Sequence, residues 1–213
     1  MKINLYSIPA LNYTYIELEK GIVDHLWGAV REGRQDKQDY KKLLAGNISE
    51  SFIIKDHENF FFENACLPAV QKLLNETKKP PTRFNTLYES SPQLILGNFW
   101  ANFQYKHEFN PIHSHGGVYS FVVWMKIPYS TEELRNSPQF KGTPREQVLP
   151  GCFAFQYIDG IGEIQNLPFE LSSNREGHML LFPSALRHCV YPFHGTDEPR
   201  ISLSGNLFFK DML

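Results

Sequence analysis

The chain has 213 residues, long enough for one well-buried domain and short for two. Its 21 Lys and Arg against 23 Asp and Glu give a formal net charge of −2 with no basic cluster, so a large electrostatic footprint for nucleic acid is excluded and no nucleic-acid partner is expected. Three widely spaced cysteines, Cys66, Cys152 and Cys189, argue against a disulfide framework or a thiolate zinc site. The opening Met1-Lys2-Ile3-Asn4-Leu5-Tyr6 lacks the apolar run of a signal peptide, and no 18-residue apolar stretch exists. A cytoplasmic location with no membrane partner is therefore expected.

In chain order, residues 2–16 read as extended around Pro9. A helix is expected from Glu17 to about Glu32, with Ile22, Val23, Leu26 and Val30 at helical spacing and Gly33 as its stop. A short second helix is expected from Asp36 to Leu44, ending at Gly46. A longer one should run from an Asp56 cap to Asn75, kinked at Pro68, with Lys78-Lys79-Pro80-Pro81 closing the helical part.

After residue 90 the texture becomes β-rich. Short runs follow one another at Leu94–Tyr105, Tyr119–Ile127, Cys152–Ile158, Ile161–Leu167, His178–Phe182, Leu186–Phe193 and Arg200–Phe209, separated by Gly, Pro, Asn and Ser turns. Aromatic content of 14% suits such a core and a lined pocket. This spacing favours a double-sheet jelly roll, mainly β, carrying N-terminal α-helices: one domain over 1–213, with a helical portion to residue 90 and the jelly-roll core from 91. The polar segment 131–150 looks like an insertion, opened by a brief helix at Thr131, and is a candidate lid.

His113-Ser114-His115 carries the first chemical signal. Two histidines two apart on a strand share a face, about 6.6 Å apart along the backbone, so both imidazoles can reach one metal ion. His188 lies on a later strand-like run and supplies a third imidazole. Arg200-Ile201-Ser202-Leu203-Ser204 then alternates, placing a guanidinium and hydroxyls on one face. A metal with a carboxylate-bearing cosubstrate beside it fits this set. Imidazole alone does not choose among Fe, Zn, Cu and Ni.

Leu181-Phe182-Pro183-Ser184-x-Leu186-x-His188-x-Val190-x-Pro192, followed by Arg200-Ile201-Ser202-x-Ser204-x-Asn206, resembles the distal half of the 2-oxoglutarate/Fe(II)-dependent oxygenases related to prolyl hydroxylases. Trp100-Ala101-Asn102, His113-x-His115 and Gly117-Val118-Tyr119 are similar to the proximal half, so the likeness covers roughly residues 94 to 209 without 131–150. The resemblance implies a double-stranded β-helix, a cupin-like jelly roll, with Fe(II), 2-oxoglutarate and O₂ as cofactor and cosubstrates. It implies that His113 and His188 bind iron. Where most of the wider superfamily has Asp or Glu, this chain has His115. The expected site is therefore three histidines, the competing reading being His115 outside the coordination sphere and a carboxylate such as Glu108 or Asp159 within it.

Arg200 is expected to hold the far carboxylate of 2-oxoglutarate, since a guanidinium offers a planar bidentate fork. Ser202, on the same strand face, adds a hydroxyl, and Asn102 and Tyr105 are expected to line the cosubstrate pocket. Trp100, Tyr119 and Trp124 are candidates for a substrate channel or for plain core. Hydroxylation of a peptide, amino acid or small metabolite is the implied reaction, and a homodimer is conceivable. The alternatives are a cupin-type metal enzyme or sugar-binding jelly roll that does not use 2-oxoglutarate, and a non-catalytic jelly-roll binding protein. Against the cupin reading, the Glu expected shortly after HxH is absent, Tyr119 and Ser120 standing there.

Overall fold

A computed structural model of the chain describes residues 11–41, 44–77 and 93–210. The start of the expected N-terminal extended run and the Lys78–Pro81 closure lie outside these residues. Strand β1 (Thr14–Glu17) leads into helix α1 (Lys20–Asp36), which buries Ile22, Leu26, Ala29, Val30 and Gly33 along one stripe. Gly33 does not stop this helix. It faces Ile53 and Ile54, where a Cβ would come within 2.7 Å of the Ile53 carbonyl oxygen. The stop comes at Lys37, in the left-handed region with φ 50°, whose N–H donates to the Gly33 carbonyl.

Among its described residues, the expected helix over 36–44 does not form. Asp36 ends α1, and Asp39 bridges Phe52 of strand β2 (Glu50–Ile53). The Asp56 carboxylate accepts from the backbone N–H groups of Phe61 (2.9 Å) and Phe62 (2.8 Å), and so caps the next helical run. That run opens with a 3₁₀ turn at His57–Asn59 and a π turn over Phe62–Cys66 before α2 (Leu67–Thr77). Pro68 has no N–H for an i−4 carbonyl, and the widened π turn just before it accommodates the ring without breaking the helix.

The remaining strands are β3 (Leu94–Gln104), β4 (Asn110–His113), β5 (Tyr119–Lys126), β6 (Phe153–Ile158), β7 (Ile164–Phe169), β8 (His178–Pro183), β9 (Arg187–Val190) and β10 (Arg200–Phe209). They form two antiparallel sheets, six strands in the order β1-β8-β5-β10-β3-β2 and four in the order β4-β9-β6-β7. This is the expected mainly β jelly roll, and the two sheets do not close into a barrel. The N-terminal portion is more than helical, because β1 and β2 edge the larger sheet.

Strand parity sorts the side chains. Phe99, Ala101, Phe103, Tyr119, Phe121, Val123, Met179, Leu181, Leu203 and Leu207 share one core with α1 and α2. Val122, Trp124, Leu180 and Phe182 point the other way and meet Phe153, Phe155 and Phe193 in a second core. Burial on both faces explains the apolar run 121–125 of β5, and each fully buried Phe or Leu contributes about 1.5–3 kcal/mol. On that same inner face β3 and β10 carry polar groups: Asn102 and Gln104, and Arg200, Ser202, Ser204 and Asn206. Among the described residues no helix is long and apolar enough to cross a membrane.

Candidate metal and cosubstrate site

β4 and β9 pair with His113 directly opposite His188, which brings these two rings to 4.3 Å between centroids. β4 is an edge strand whose register shifts between Asn110 and His113. Pro111, unable to donate to a ladder, is tolerated there. The strand ends at His113. His115 therefore does not reach the cluster by strand alternation, as the HxH spacing predicts. It sits in the following loop, its N–H donating to the Ser184 carbonyl (2.9 Å). Its ring still lies 4.9 Å from His113 and 5.0 Å from His188.

One ligand nitrogen from each of His113, His115 and His188 lies within 4.8 Å of the others, and among the described residues no other such group of His, Cys, Asp or Glu converges. His113 Nδ1 is 2.7 Å from the Pro111 carbonyl and His188 Nδ1 is 2.9 Å from the Leu186 carbonyl. Each carbonyl takes an N–H, which leaves Nε2 of both rings with a free lone pair. His115 Nε2 stands 3.2 Å from His188 Nε2. Two ligands about 2.1 Å from one ion and at right angles would be about 3.0 Å apart. Burial lowers the basicity of all three rings, taking His115 to about 4 and His188 to about 3, with neighbouring histidines adding to both. The imidazoles are neutral at pH 7, as metal ligands must be. The donor set fits a divalent iron.

No Asp or Glu among the described residues lines the surrounding cavity. Glu108 instead accepts from the backbone N–H groups of Ser49 and Tyr105, and Asp159 caps the β6–β7 hairpin through Ile161, Glu163 and Gln165. Neither is available as the carboxylate of the competing reading.

The cavity, of about 130 Å³, contains the three histidines at one place and Arg200 at another. Arg200 is 3% exposed, and its Nη1 donates to the Tyr129 hydroxyl (2.9 Å) and the Gly151 carbonyl (3.1 Å) while Nη2 donates to Gln104 Oε1. Its Nε has no partner among the described residues. The nearby acids are engaged elsewhere, Asp197 with Lys106 and Glu198 with Lys126. Tyr129 donates in turn to the Gly151 carbonyl and stacks on Phe193. Burial raises the Tyr129 phenol, with Arg200 opposing, so it stays a neutral hydroxyl.

Between these two ends, Ser202 is in register with Asn102 on one side and Trp124 on the other, and all three line the cavity. Tyr105 does not. It follows the end of β3 on the opposite parity, packs towards the helical core and donates its hydroxyl to Glu50 (3.1 Å). Gln104 takes the position expected of it. Trp100 and Trp124 line the cavity, whereas Tyr119 belongs to the helical core. Residues 131–150, the candidate lid, are not among those that line the cavity. Thr131 pins that segment by three hydrogen bonds with Leu171, and Arg135 binds the Val148 carbonyl. Tyr40, Leu44, Ala45 and Ile48 also line the cavity, which sequence reading missed; Tyr40 stacks on Trp100 at 4.8 Å. Of the other histidines, His25 pairs with Asp56, His57 with Glu32 and His194 with Gln139, away from this cluster.

A sequence model of the family described as "Putative 2OG-Fe(II) oxygenase" matches residues 98–206, which include all three histidines and Arg200. Among solved structures, a prolyl-4-hydroxylase from Pseudomonas putida is similar at 14% identity, over 94% of this chain and 94% of that one, with a TM-score of 0.51. SnoK, a non-heme alpha ketoglutarate dependent carbocyclase from nogalamycin biosynthesis, is similar at 9% identity, over 92% of this chain and 79% of that one, with a TM-score of 0.56. At these identities the likeness is one of fold. No curated protein matches the chain.

Proposed function

Because the chain belongs to the 2OG-Fe(II) oxygenases, enzymes that use Fe(II) and 2-oxoglutarate, we propose that His113, His115 and His188 hold the iron and Arg200 the far carboxylate of 2-oxoglutarate. The reaction is hydroxylation of a peptide residue or a small molecule. One observation carries this reading: Arg200 is buried in the same cavity as the three histidines, with neutral oxygens around it and, among the described residues, no carboxylate. A buried charge without a counter-ion costs several kcal/mol. A dicarboxylate cosubstrate supplies the missing anion.

When bound, iron and 2-oxoglutarate supply the oxidising chemistry, in which O₂ is consumed, 2-oxoglutarate becomes succinate and CO₂, and one oxygen atom enters the substrate. The chain's own residues position and enclose. The Nδ1 bonds of His113 and His188 to Pro111 and Leu186 aim their Nε2 atoms inward. Tyr129, Gly151 and Gln104 hold the guanidinium fork in place. Ser202 and Asn102 offer a hydroxyl and an amide to the cosubstrate between its ends, and Trp124, Phe153 and Phe182 exclude water beside it. Tyr40, Leu44, Ala45 and Ile48 line the same cavity from outside the family-matched span and would meet the substrate.

The test is an anaerobic titration with Fe(II) and 2-oxoglutarate, followed by exposure to O₂. A visible charge-transfer band and then succinate are expected, both lost in Arg200→Ala. No band, no succinate and an Arg200→Ala protein indistinguishable from wild type would sink the reading.

A further inference from the structure

Taking the three histidines as the metal site, we infer that Asn206, Ser120 and Ser184 are positioning residues, a buried hydrogen-bond chain that fixes His115 and His188 relative to one another. Ser120 Oγ lies 2.7 Å from Asn206 Oδ1 and 2.9 Å from Ser184 Oγ. The three residues are 1%, 5% and 1% exposed for Ser120, Asn206 and Ser184. A serine hydroxyl has one proton and an amide oxygen can only accept. Ser120 must therefore donate to Asn206, and Ser184 to Ser120.

Ser184 is tied a second and a third time. Its carbonyl accepts from His115 N–H (2.9 Å) and its N–H donates to the Val118 carbonyl (3.1 Å). Both backbone groups of Ser184 thus grip the loop that carries His115, and its hydroxyl ties the same residue to Ser120 on β5. The same turn, closed by Leu186 N–H on the Pro183 carbonyl (2.9 Å), presents the Leu186 carbonyl that orients the His188 ring. One turn, anchored by the buried Ser184, holds one ligand by its backbone and the other by its imidazole.

This hold matters because His115 lies beyond the end of β4 and has no strand ladder of its own. The far side of its loop is clamped on β10. Gly117 has φ +88°, and a Cβ there would come 2.7 Å from the Leu207 carbonyl oxygen, while Val118 N–H donates to that oxygen (2.8 Å). Asn206 immediately precedes Leu207, and β3 carries one extra residue opposite it, pairing Phe99 with Gly205 but Leu96 with Leu207. Such bulges re-aim side chains beside functional sites. Two serines and an amide in a buried interior are costly unless mutually satisfied, and once satisfied they specify one arrangement.

The test is Co(II) binding to the full-length protein, followed by its ligand-field spectrum, alongside the thermal midpoint of the metal-free form. Asn206→Ala removes the final acceptor. Ser184→Ala removes one hydroxyl while keeping both backbone bonds, and carries the test if Asn206→Ala does not fold. Both variants should bind Co(II) roughly 10–100-fold more weakly, the range seen when groups supporting metal ligands are removed, with an altered spectrum. Wild-type affinity and spectrum in a folded variant, whatever its thermal midpoint, overturn the positioning role. A wild-type protein that binds no Co(II) overturns the metal reading, and this inference with it.

Discussion

Arg200 and Gln104 face each other across the β10–β3 ladder, and the guanidinium meets a carboxamide where a carboxylate would satisfy it better. Gln104 is held for this, its Nε2 donating to the Glu108 carbonyl. A neutral partner orients the fork without neutralising it. Gln104→Glu should therefore weaken 2-oxoglutarate binding by about 10–100-fold, the worth of one charge-assisted hydrogen bond. Gln104→Leu, which removes both hydrogen bonds of Gln104 but adds no charge, should lose far less. Calorimetric titration with 2-oxoglutarate checks this, and equal losses in the two variants would contradict it.

The seven strands expected after residue 90 all form, because both faces of the central ones are buried and their apolar runs are long. Arg200 and Ser202 on the inner face followed from alternation alone. Tyr105 was one residue out of phase, and the same parity, read through Asn102, points to Gln104. What parity cannot reach is distant pairing. Tyr129 and Gly151 flank an insertion and meet Arg200 only through the tertiary fold. β2 and β4 have four residues each and borrow their order from β3 and β9. The loop geometry of His115 depends on Ser184, far along the chain, so the HxH spacing implied the right convergence for a wrong local reason.

Gly33→Ala reverses the usual rule for helices. In an exposed helix interior the change is favourable by about 1 kcal/mol. Here the new methyl would lie 2.7 Å from the Ile53 carbonyl oxygen and from Ile54 Cγ2. Forcing α1 off β2 should cost about 1–3 kcal/mol. Each kcal/mol lowers the thermal midpoint by roughly 2–4 °C at this size. A midpoint equal to or above wild type would show that the α1–β2 contact yields at no cost.

The cysteines should be chemically quiet. Burial pushes the Cys152 thiol up to about 11 and raises Cys66 and Cys189 as well. All three are buried free thiols. At pH 8 a thiol with a pKa near 11 is only about 0.1% thiolate, the reactive form. Native protein should react slowly with a disulfide reagent, faster as pH rises, and release three thiols in urea. Rapid stoichiometric labelling of one thiol in the native state would contradict this.

His115 decides whether the centre has three imidazoles or two. Its Nε2 is 3.2 Å from that of His188, and its ring is neutral at pH 7 because burial holds its pKa near 4. No carboxylate among the described residues stands ready to replace it. If it binds the metal, His115→Ala should weaken Co(II) binding by more than about 100-fold, beyond the 10–100-fold typical of a group that only supports a ligand. His115→Asp should recover most of the affinity, because two histidines and a carboxylate make an established facial set for iron. The two variants separate the roles. A supporting histidine gives a modest loss in His115→Ala that Asp does not repair, whereas a ligand gives a large loss that it does.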